Sequence, residues 1–250
     1  MRKILYFSRQ LGFDPIKFFN GVRGLPHYLS TLFKFKRLTL NSRISISPVL
    51  QDFSAQAGSA DGHYFWQDLI VAKWIFESKP ERHLDVGSRI DGFVAHLLSF
   101  REVTMVDIRP LDQPIPGLTV FLGDAQKPLD QITQSFESVS SLHAIEHFGL
   151  GRYRDLLEVE GHINGIHNIS DTVKIGGQLY ISFPIGKERV EFNEQRIINP
   201  LTPEQILSNF GLQEFVLIPW KGNPVYGLQP NEVNQQIPGQ AGLYRFKRMK

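Results

Sequence analysis

The sequence predicts a doubly wound α/β domain with a mainly parallel sheet, preceded by a basic, helical N-terminal extension. Three features point to it. Short apolar runs alternate with helical patterns between residues 82 and 247, an order that implies a parallel sheet covered on both faces. A small-residue turn, Asp85-Val86-Gly87-Ser88-Arg89-Ile90-Asp91-Gly92, leaves the first of those runs. Acidic and small polar residues then recur just after later runs, where open α/β sheets bind ligands.

The elements follow in chain order. Residues 1–58 form the extension, in which Gly12, Pro15, Gly21, Gly24, Pro26 and Pro48 suggest short helices broken by turns. Within it, Lys17 to Phe35 reads as an amphipathic surface element. The α/β domain spans 59–250. A helix capped by Ser59 or Asp61 carries Tyr64, Phe65, Leu69, Ile70, Trp74 and Phe76 on its apolar face and ends before Pro80. Strands are expected at Arg82–Val86, Val103–Asp107, Leu118–Leu122, Phe136–Leu142 and Gln178–Phe183, the last stopped by Pro184. Helices are expected at Phe93–Phe100, from Arg152 to Val173 with Gly176-Gly177 as the breaker, and at Pro203–Phe210 with Thr202 as cap. Gln213–Ile218 and Gly242–Lys247 complete seven strands, the last pair close enough for an antiparallel hairpin at one edge.

A chain of 250 residues has room for one such core plus an appendage. No uninterrupted apolar run approaches the roughly 18 residues of a membrane span, and the first apolar stretch is too short for a signal peptide. The absence of cysteine removes disulfides, thiolate metal sites and thiol nucleophiles, and fits a reducing cytoplasm. Charge is uneven. Residues 1–60 hold nine Lys/Arg against Asp14 and Asp52, giving +7, while the remainder sums to −5. A basic, aromatic-rich front end attracts anionic partners, so a membrane-surface contact through residues 1–45 is expected. No zinc-finger, RNP or helix-turn-helix pattern is present, and no nucleic acid partner is expected.

The turn at 85–92 carries the chemistry. Gly87 lets the chain leave the strand sharply, Gly92 lets the next helix approach a ligand, and free N–H groups at the helix start suit an anion. It lacks the G-x-G-x-x-G of dinucleotide binders and the Gly-Lys-[ST] of a P-loop. An acid at its start suits a ligand with a positive end, so Asp85 is read as facing the amino group of S-adenosylmethionine, directly or through water. Asp107, 22 residues on, is placed to accept from ribose hydroxyls, an arrangement nicotinamide enzymes share, so it supports a nucleoside without choosing the cofactor. Asp124, after the third strand, is placed to accept from the adenine amino group. His143-Ala144-Ile145-Glu146-His147 matches H-x-x-E-H, the inverted zinc-protease motif. That chemistry needs both histidines on one face of a continuous helix, and here a strand leads in while Gly149 and Gly151 follow. The segment is therefore read as a loop without a metal, with His143, Glu146 or His147 as general base or acceptor-positioning group.

In order, these segments resemble the class I S-adenosylmethionine-dependent methyltransferases, and most closely the domain of unknown function 268. The resemblance rests on Gly62–Leu69, Asp85–Phe93, Val106–Leu111, Ser141–Tyr153, Ile181–Gly186 and Glu191–Arg196, and spans about residues 48–220. It implies a Rossmann-like seven-stranded fold and a cofactor site at Asp85, Gly87, Asp107 and Asp124, to which Ser88, Arg89, Gly92, Ile108 and Ala125 are added as their neighbours. It implies as well an acceptor of the glycan or small-hydroxyl class, in glycan or secondary-metabolite assembly. His63 and Tyr64 are expected to fold over the acceptor from the preceding helix, with Arg152, Asn193 and Arg196 binding it. One departure stands out: Arg89 occupies the place of a second glycine in the usual turn, and Gly92 comes one residue late. Arg89 therefore either reaches the cofactor carboxylate or obstructs it. The alternative is a non-catalytic binding or scaffolding protein on the same frame, docking at a membrane-associated assembly.

Overall fold

The computed structural model describes residues 2–39, 43–53, 55, 58 and 60–250, the side chains of residues 2–4 aside. The chain divides into two units, Met1–Ser59 and Ala60–Lys250.

The first unit holds helices α1 (Arg2–Gln10) and α2 (Pro15–Leu38). Asp14 caps α2: its Oδ1 accepts from the amides of Ile16 at 2.9 Å and Lys17 at 3.3 Å, and Pro15 occupies the first turn, where its missing N–H costs nothing. The breaks expected at Gly21, Gly24 and Pro26 do not occur; one 24-residue helix runs through them. Gly24 is buried, and a Cβ there would lie 2.0 Å from the carbonyl oxygen of Leu50. This glycine serves close packing of the following chain rather than a turn.

In the second unit α3 (His63–Ser78) leads into β1 (His83–Val86), β2 (Val103–Asp107), β3 (Leu118–Leu122), β4 (Phe136–Leu142), β5 (Val173–Ile185) and the hairpin of β6 (Arg189–Glu191) and β7 (Gln195–Ile197). β8 (Phe210–Pro219), β9 (Val225–Tyr226) and β10 (Gln240–Arg248) follow. The main sheet has eight strands in the order β3-β2-β1-β4-β5-β10-β8-β9, the two-residue β9 adding to the seven expected. The first five are parallel; β10 inserts antiparallel between β5 and β8 and pairs antiparallel with β8, as expected of the last long pair, with only the two-residue β9 outside them. Strand order reverses between β1 and β4. Ligand crevices in open α/β sheets form at that point.

Alternate side chains of the strands feed two cores. On one face Ile70, Val71, Trp74 and Ile75 of α3 pack with Phe93, Leu97, Met105, Leu142 and Leu243. On the other, Ile166 and Ile169 of α5 (Gly161–Asp171) pack with Leu84, Val106, Val139, Leu179, Phe183 and Tyr244. Each such fully buried aliphatic side chain contributes about 1.5–3 kcal/mol.

Several boundaries differ from expectation. Gly62, at φ 87°, precedes α3 with no side-chain cap; Asp61 instead accepts from the amide of Gly222 at 3.2 Å, and Ser59 lies outside the described residues. After the turn, Ile90–Val94 forms a π-helical turn before the short α4 (Ala95–Leu98). Residues 152–160 are loop and turn rather than helix, and Gly176-Gly177 lies inside β5, opposite a register shift in β4. β5 continues through Pro184 because β10 pairs along its whole end, with Ala241 opposite Pro184. α6 (Thr202–Ile206) has Leu201 at its cap position, and Phe210 already opens β8.

Candidate functional site

A cavity of about 720 Å³ lies at the carboxyl ends of β1–β4, lined from the turn after each strand. Gly87, Arg89, Ile90 and Asp91 come from the first turn, Asp107–Leu111 from the second, Gly123–Gln126 from the third, and His143, Ala144 and Glu146–Phe148 from the fourth. Tyr64 of α3, with Arg152, Tyr153, Asp155, Glu194 and Gln195, completes the wall. Its size suits a nucleoside-sized ligand.

The first turn is held from below by a directional hydrogen-bond chain. Ser140 Oγ is 2.6 Å from Asp85 Oδ1, and Asp85 also receives Ser88 Oγ at 2.6 Å and the Ser88 amide at 3.0 Å. Since the Ser140 proton points to Asp85, His83 Nε2–H donates to Ser140 Oγ at 3.0 Å and His83 Nδ1 accepts from Ser138 at 2.7 Å. Ser88 Oγ in turn accepts from the amide of Leu142 at 3.0 Å. The chain ties β1, β4 and the turn into one rigid shelf. Burial raises Asp85 to about 6 and, with Arg101 nearby, holds His83 well below its ordinary value.

Asp85 and Ser88 thus lie behind the cavity wall, their polar atoms taken by each other and by Ser140. Asp85, read as facing the ligand directly or through water, is fully buried and does not line the cavity. Gly92 also stands off the cavity. A Cβ there would lie 2.7 Å from Asp68 Oδ2, so its lack of a side chain makes room for α3 rather than for a ligand. Gly87 does line the cavity, at φ 74°, where a Cβ would lie 2.9 Å from Ala144 Cβ. Arg89 is folded onto Asp91, at 3.0 Å, and over the Tyr64 ring, 5.0 Å from its centroid. It borders the cavity without filling it.

Asp107 closes β2 but is not free. Arg109 donates its amide and Nε to Oδ1 at 2.8 and 2.9 Å and its Nη2 to Oδ2 at 2.6 Å, and its guanidinium lies 4.9 Å over Tyr153. Asp124 Oδ1 accepts from the amide of Gln126 at 3.0 Å, while Gln126 Oε1 is buried with no partner. Ile108 and Ala125 line the wall beside them.

The loop after β4 contains a histidine–carboxylate pair. His143 is held at φ 50°, a left-handed conformation that costs a non-glycine residue about 1–3 kcal/mol. Its amide donates to Ser182 O at 2.9 Å, and its Nδ1 donates to Glu146 Oε1 at 2.6 Å. His143 Nε2 and Glu146 Oε2 are buried without a protein partner, whereas buried polar atoms are normally satisfied. Burial pushes the Glu146 carboxyl up, but His143 and His147 beside it hold it below the ordinary range. His147 is fixed as the Nδ1–H tautomer by donation to Glu194 O at 2.7 Å, and burial depresses it. Only Ile145–His147 is helical, a single 3₁₀ turn, so the two histidines do not share a helix face. Among the described residues no group of three or more His, Cys, Asp or Glu is arranged to hold a metal.

His63 backs this pair rather than lining the cavity. Its ring stacks on His143, with centroids 5.2 Å apart and planes 7° apart, and its Nε2–H donates to Gly239 O at 3.2 Å. Burial and His143 push it down to about 4. Tyr64 packs 4.9 Å from the His143 ring centroid. Arg152 lines the cavity and donates to Glu194 O at 2.9 Å. The other two residues read as acceptor contacts lie elsewhere. Asn193 sits at φ 64° in the β6–β7 turn. Arg196 is buried and donates to the carbonyls of Phe148, Glu158 and Val159, clipping the 148–159 loop to β7. Asp155 holds that loop from within, accepting from the amides of Gly149, Gly151 and Tyr153. The sequence reading missed Arg109, Gln126, Ser140 and Tyr153; only Arg109, two residues beyond a strand-ending Asp, left a local signal.

Sheet order and crevice position are those of the class I S-adenosylmethionine-dependent methyltransferases, and the chain has that Rossmann-like fold. Within it, residues 119–214 match a family model described as Caenorhabditis protein of unknown function, DUF268. The chain is similar in structure to the N-methyltransferase NodS of Bradyrhizobium japonicum WM9 in complex with S-adenosyl-L-homocysteine (TM-score 0.51, 13% identity, 76% of this chain and 90% of that one). It is similar to the 1,6-didemethyltoxoflavin-N1-methyltransferase of Burkholderia thailandensis (TM-score 0.51, 12% identity, 74% and 79%). A third similar structure is an S-adenosylmethionine-dependent methyltransferase of Clostridium acetobutylicum ATCC 824 (TM-score 0.50, 11% identity, 76% and 94%). No curated protein matches the chain. Identities this low establish the fold alone.

Proposed function

We propose that the cavity binds S-adenosylmethionine and that the protein transfers its methyl group to a hydroxyl oxygen of a sugar or other small or glycan acceptor. The observation that carries this reading is the His143–Glu146 pair, which leaves His143 Nε2 buried, unpartnered and on a cavity-lining residue. Three features of this chain fit the cofactor: the size of the cavity, the bare Gly87 beside it, and acceptor atoms at Asp107, Asp124 and Gln126. Asp107 would hold the ribose hydroxyls, Asp124 and Gln126 the adenine amino group, and Arg89 with the amides of the first turn the carboxylate. When bound, the cofactor supplies a methyl group made electrophilic by its sulfonium.

The protein's own part is alignment and proton removal. His143 Nε2 would take the proton of the acceptor hydroxyl as the acceptor is methylated, and Glu146 would stabilise the resulting imidazolium through Nδ1–H. His147 and Arg152 border the acceptor end, and Tyr64 roofs it. Residues 1–45 bring this domain to a membrane surface from the cytoplasmic side. Methyl-labelled cofactor, incubated with the full chain and hydroxyl-bearing acceptors, tests the reading. Label incorporation lost in His143→Ala supports it; no incorporation into any acceptor contradicts it.

One observation favours a second reading, a non-catalytic docking protein. Arg109 engages both carboxylate oxygens of Asp107, where ribose would bind. If Arg109 shuts the site, Arg109→Ala binds S-adenosylhomocysteine and the native chain does not. In the catalytic reading the native chain already binds.

A further inference from the structure

We propose that α2 is an in-plane anchor for an anionic bilayer. Phe18, Val22, Leu25, Leu29 and Phe33 enter the acyl boundary, and Arg23, Lys34 and Arg37 meet the phosphate headgroups. The proposal rests on the membrane-surface reading of the N-terminal region and assigns its residues and its lipid charge.

The five apolar residues recur at steps of four, three, four and four, which places them along one face of a 3.6-residue helix. Each is between 40% and 59% exposed. One flank of the helix is packed by the unit's own chain: Gly24 is buried against the Leu50 carbonyl, and the exposed His27 stacks on Phe53 with ring centroids 5.4 Å apart. The unit's own chain leaves the five-residue apolar row uncovered.

Charge selects the occupant. Between Pro15 and Leu38 there are five Lys/Arg and no Asp or Glu. Asp14, the nearest acid, is used as the helix cap and pairs with Arg9 at 3.0 Å. A second copy laid on this face would oppose cation to cation, whereas an anionic lipid surface complements it. At 1.5 Å per residue, 24 residues extend about 36 Å, long enough to cross a bilayer. Yet no helix among the described residues is apolar enough to do so. A long basic amphipathic helix of that kind lies in the interface.

Sedimentation of the full chain with vesicles of phosphatidylcholine, alone or mixed with phosphatidylglycerol, tests the proposal. The native chain is expected to sediment with the anionic vesicles, weakly with the neutral ones, and less as salt rises. Val22→Glu/Leu29→Glu should abolish sedimentation with unchanged circular dichroism. Lys34→Glu/Arg37→Glu should weaken it by at least about fivefold per cation removed, an arm that leaves the apolar face intact. If the native chain sediments with neither vesicle, this proposal and the membrane reading both fall. If Val22→Glu/Leu29→Glu sediments as well as the native chain, the helix face is wrong while the membrane reading stands. Equal, salt-independent binding to both vesicles overturns the lipid charge. Concentration-dependent self-association lost in the same variants would assign the face to a second copy instead.

Discussion

Nδ1 of His143 and Oε1 of Glu146 stand 2.6 Å apart, and this hydrogen bond decides which ring nitrogen is left to act. With the Nδ1 proton committed to the carboxylate, the lone pair lies on Nε2, the atom that has no protein partner. A carboxylate behind an imidazole fixes its tautomer and favours the imidazolium that forms on proton uptake.

Removing this base should lower methyl transfer far more than cofactor binding. His143→Ala is expected to reduce kcat by about 10²–10⁴. Glu146→Gln keeps an acceptor for Nδ1–H but loses the counter-charge, and should cost less than His143→Ala. Initial rates measured beside cofactor affinity check both; a variant with native kcat would remove His143 from the mechanism.

Asp107→Ala tests the ribose assignment. Hydrogen bonds to a charged acceptor are worth about 1.5–3 kcal/mol, so affinity for S-adenosylhomocysteine should fall roughly tenfold or more. Titration calorimetry reads this directly, and unchanged affinity would move the nucleoside elsewhere in the cavity.

Ser140→Ala should destabilise the fold without touching the cavity. It strands His83 Nε2–H and takes one of three donors from the Asp85 carboxylate. Leaving buried polar groups unsatisfied costs about 1–3 kcal/mol, readable as a lowered urea midpoint.

Acid should unfold the protein between pH 6.5 and about 4. Burial first, with His143 or Arg196 second, depresses His63 and His162 to about 4, and burial holds His83 well below 6.5. Depressed bases give stability that is present above 6.5 and lost as pH falls toward their folded values. Asp68 and Asp85, raised to about 6 by burial, act in the opposite sense: their penalty is relieved as pH falls from about 6 toward 3.8. Three histidines take up more protons on unfolding than two carboxyls release, so the urea midpoint should drop from pH 7 to pH 5. His162→Gln should make that drop smaller; a midpoint that rises on acidification would contradict the balance.

Much of this was legible in the sequence because it is local. β1–β4 show as short apolar runs, and the turns that end them carry the polar residues, so Gly87, Asp107, Asp124 and the His143–His147 loop stand out in the sequence alone. What escaped depends on distant partners. Arg196 looks like an acceptor ligand until the carbonyls of Phe148, Glu158 and Val159 are brought to it. Asp85 looks like a ligand contact until Ser140, 55 residues on, covers it. Gly24 and Pro26 signal a break in α2, and only the approach of Leu50 reveals the glycine's packing role. The apolar pattern after Arg152 mimicked a helix, but Asp155 and Arg196 hold that segment as a loop.

Binding of S-adenosylmethionine and S-adenosylhomocysteine by the full chain, read as a shift in Tm, tests the central claim most directly. A ligand that binds only the folded state at a hundred times its Kd stabilises by about 2.7 kcal/mol, roughly 5–10 °C for a domain of this size. A rise of that order, growing with concentration and reduced in Asp107→Ala, is the predicted result. An unchanged Tm with both ligands at saturating concentration would contradict it.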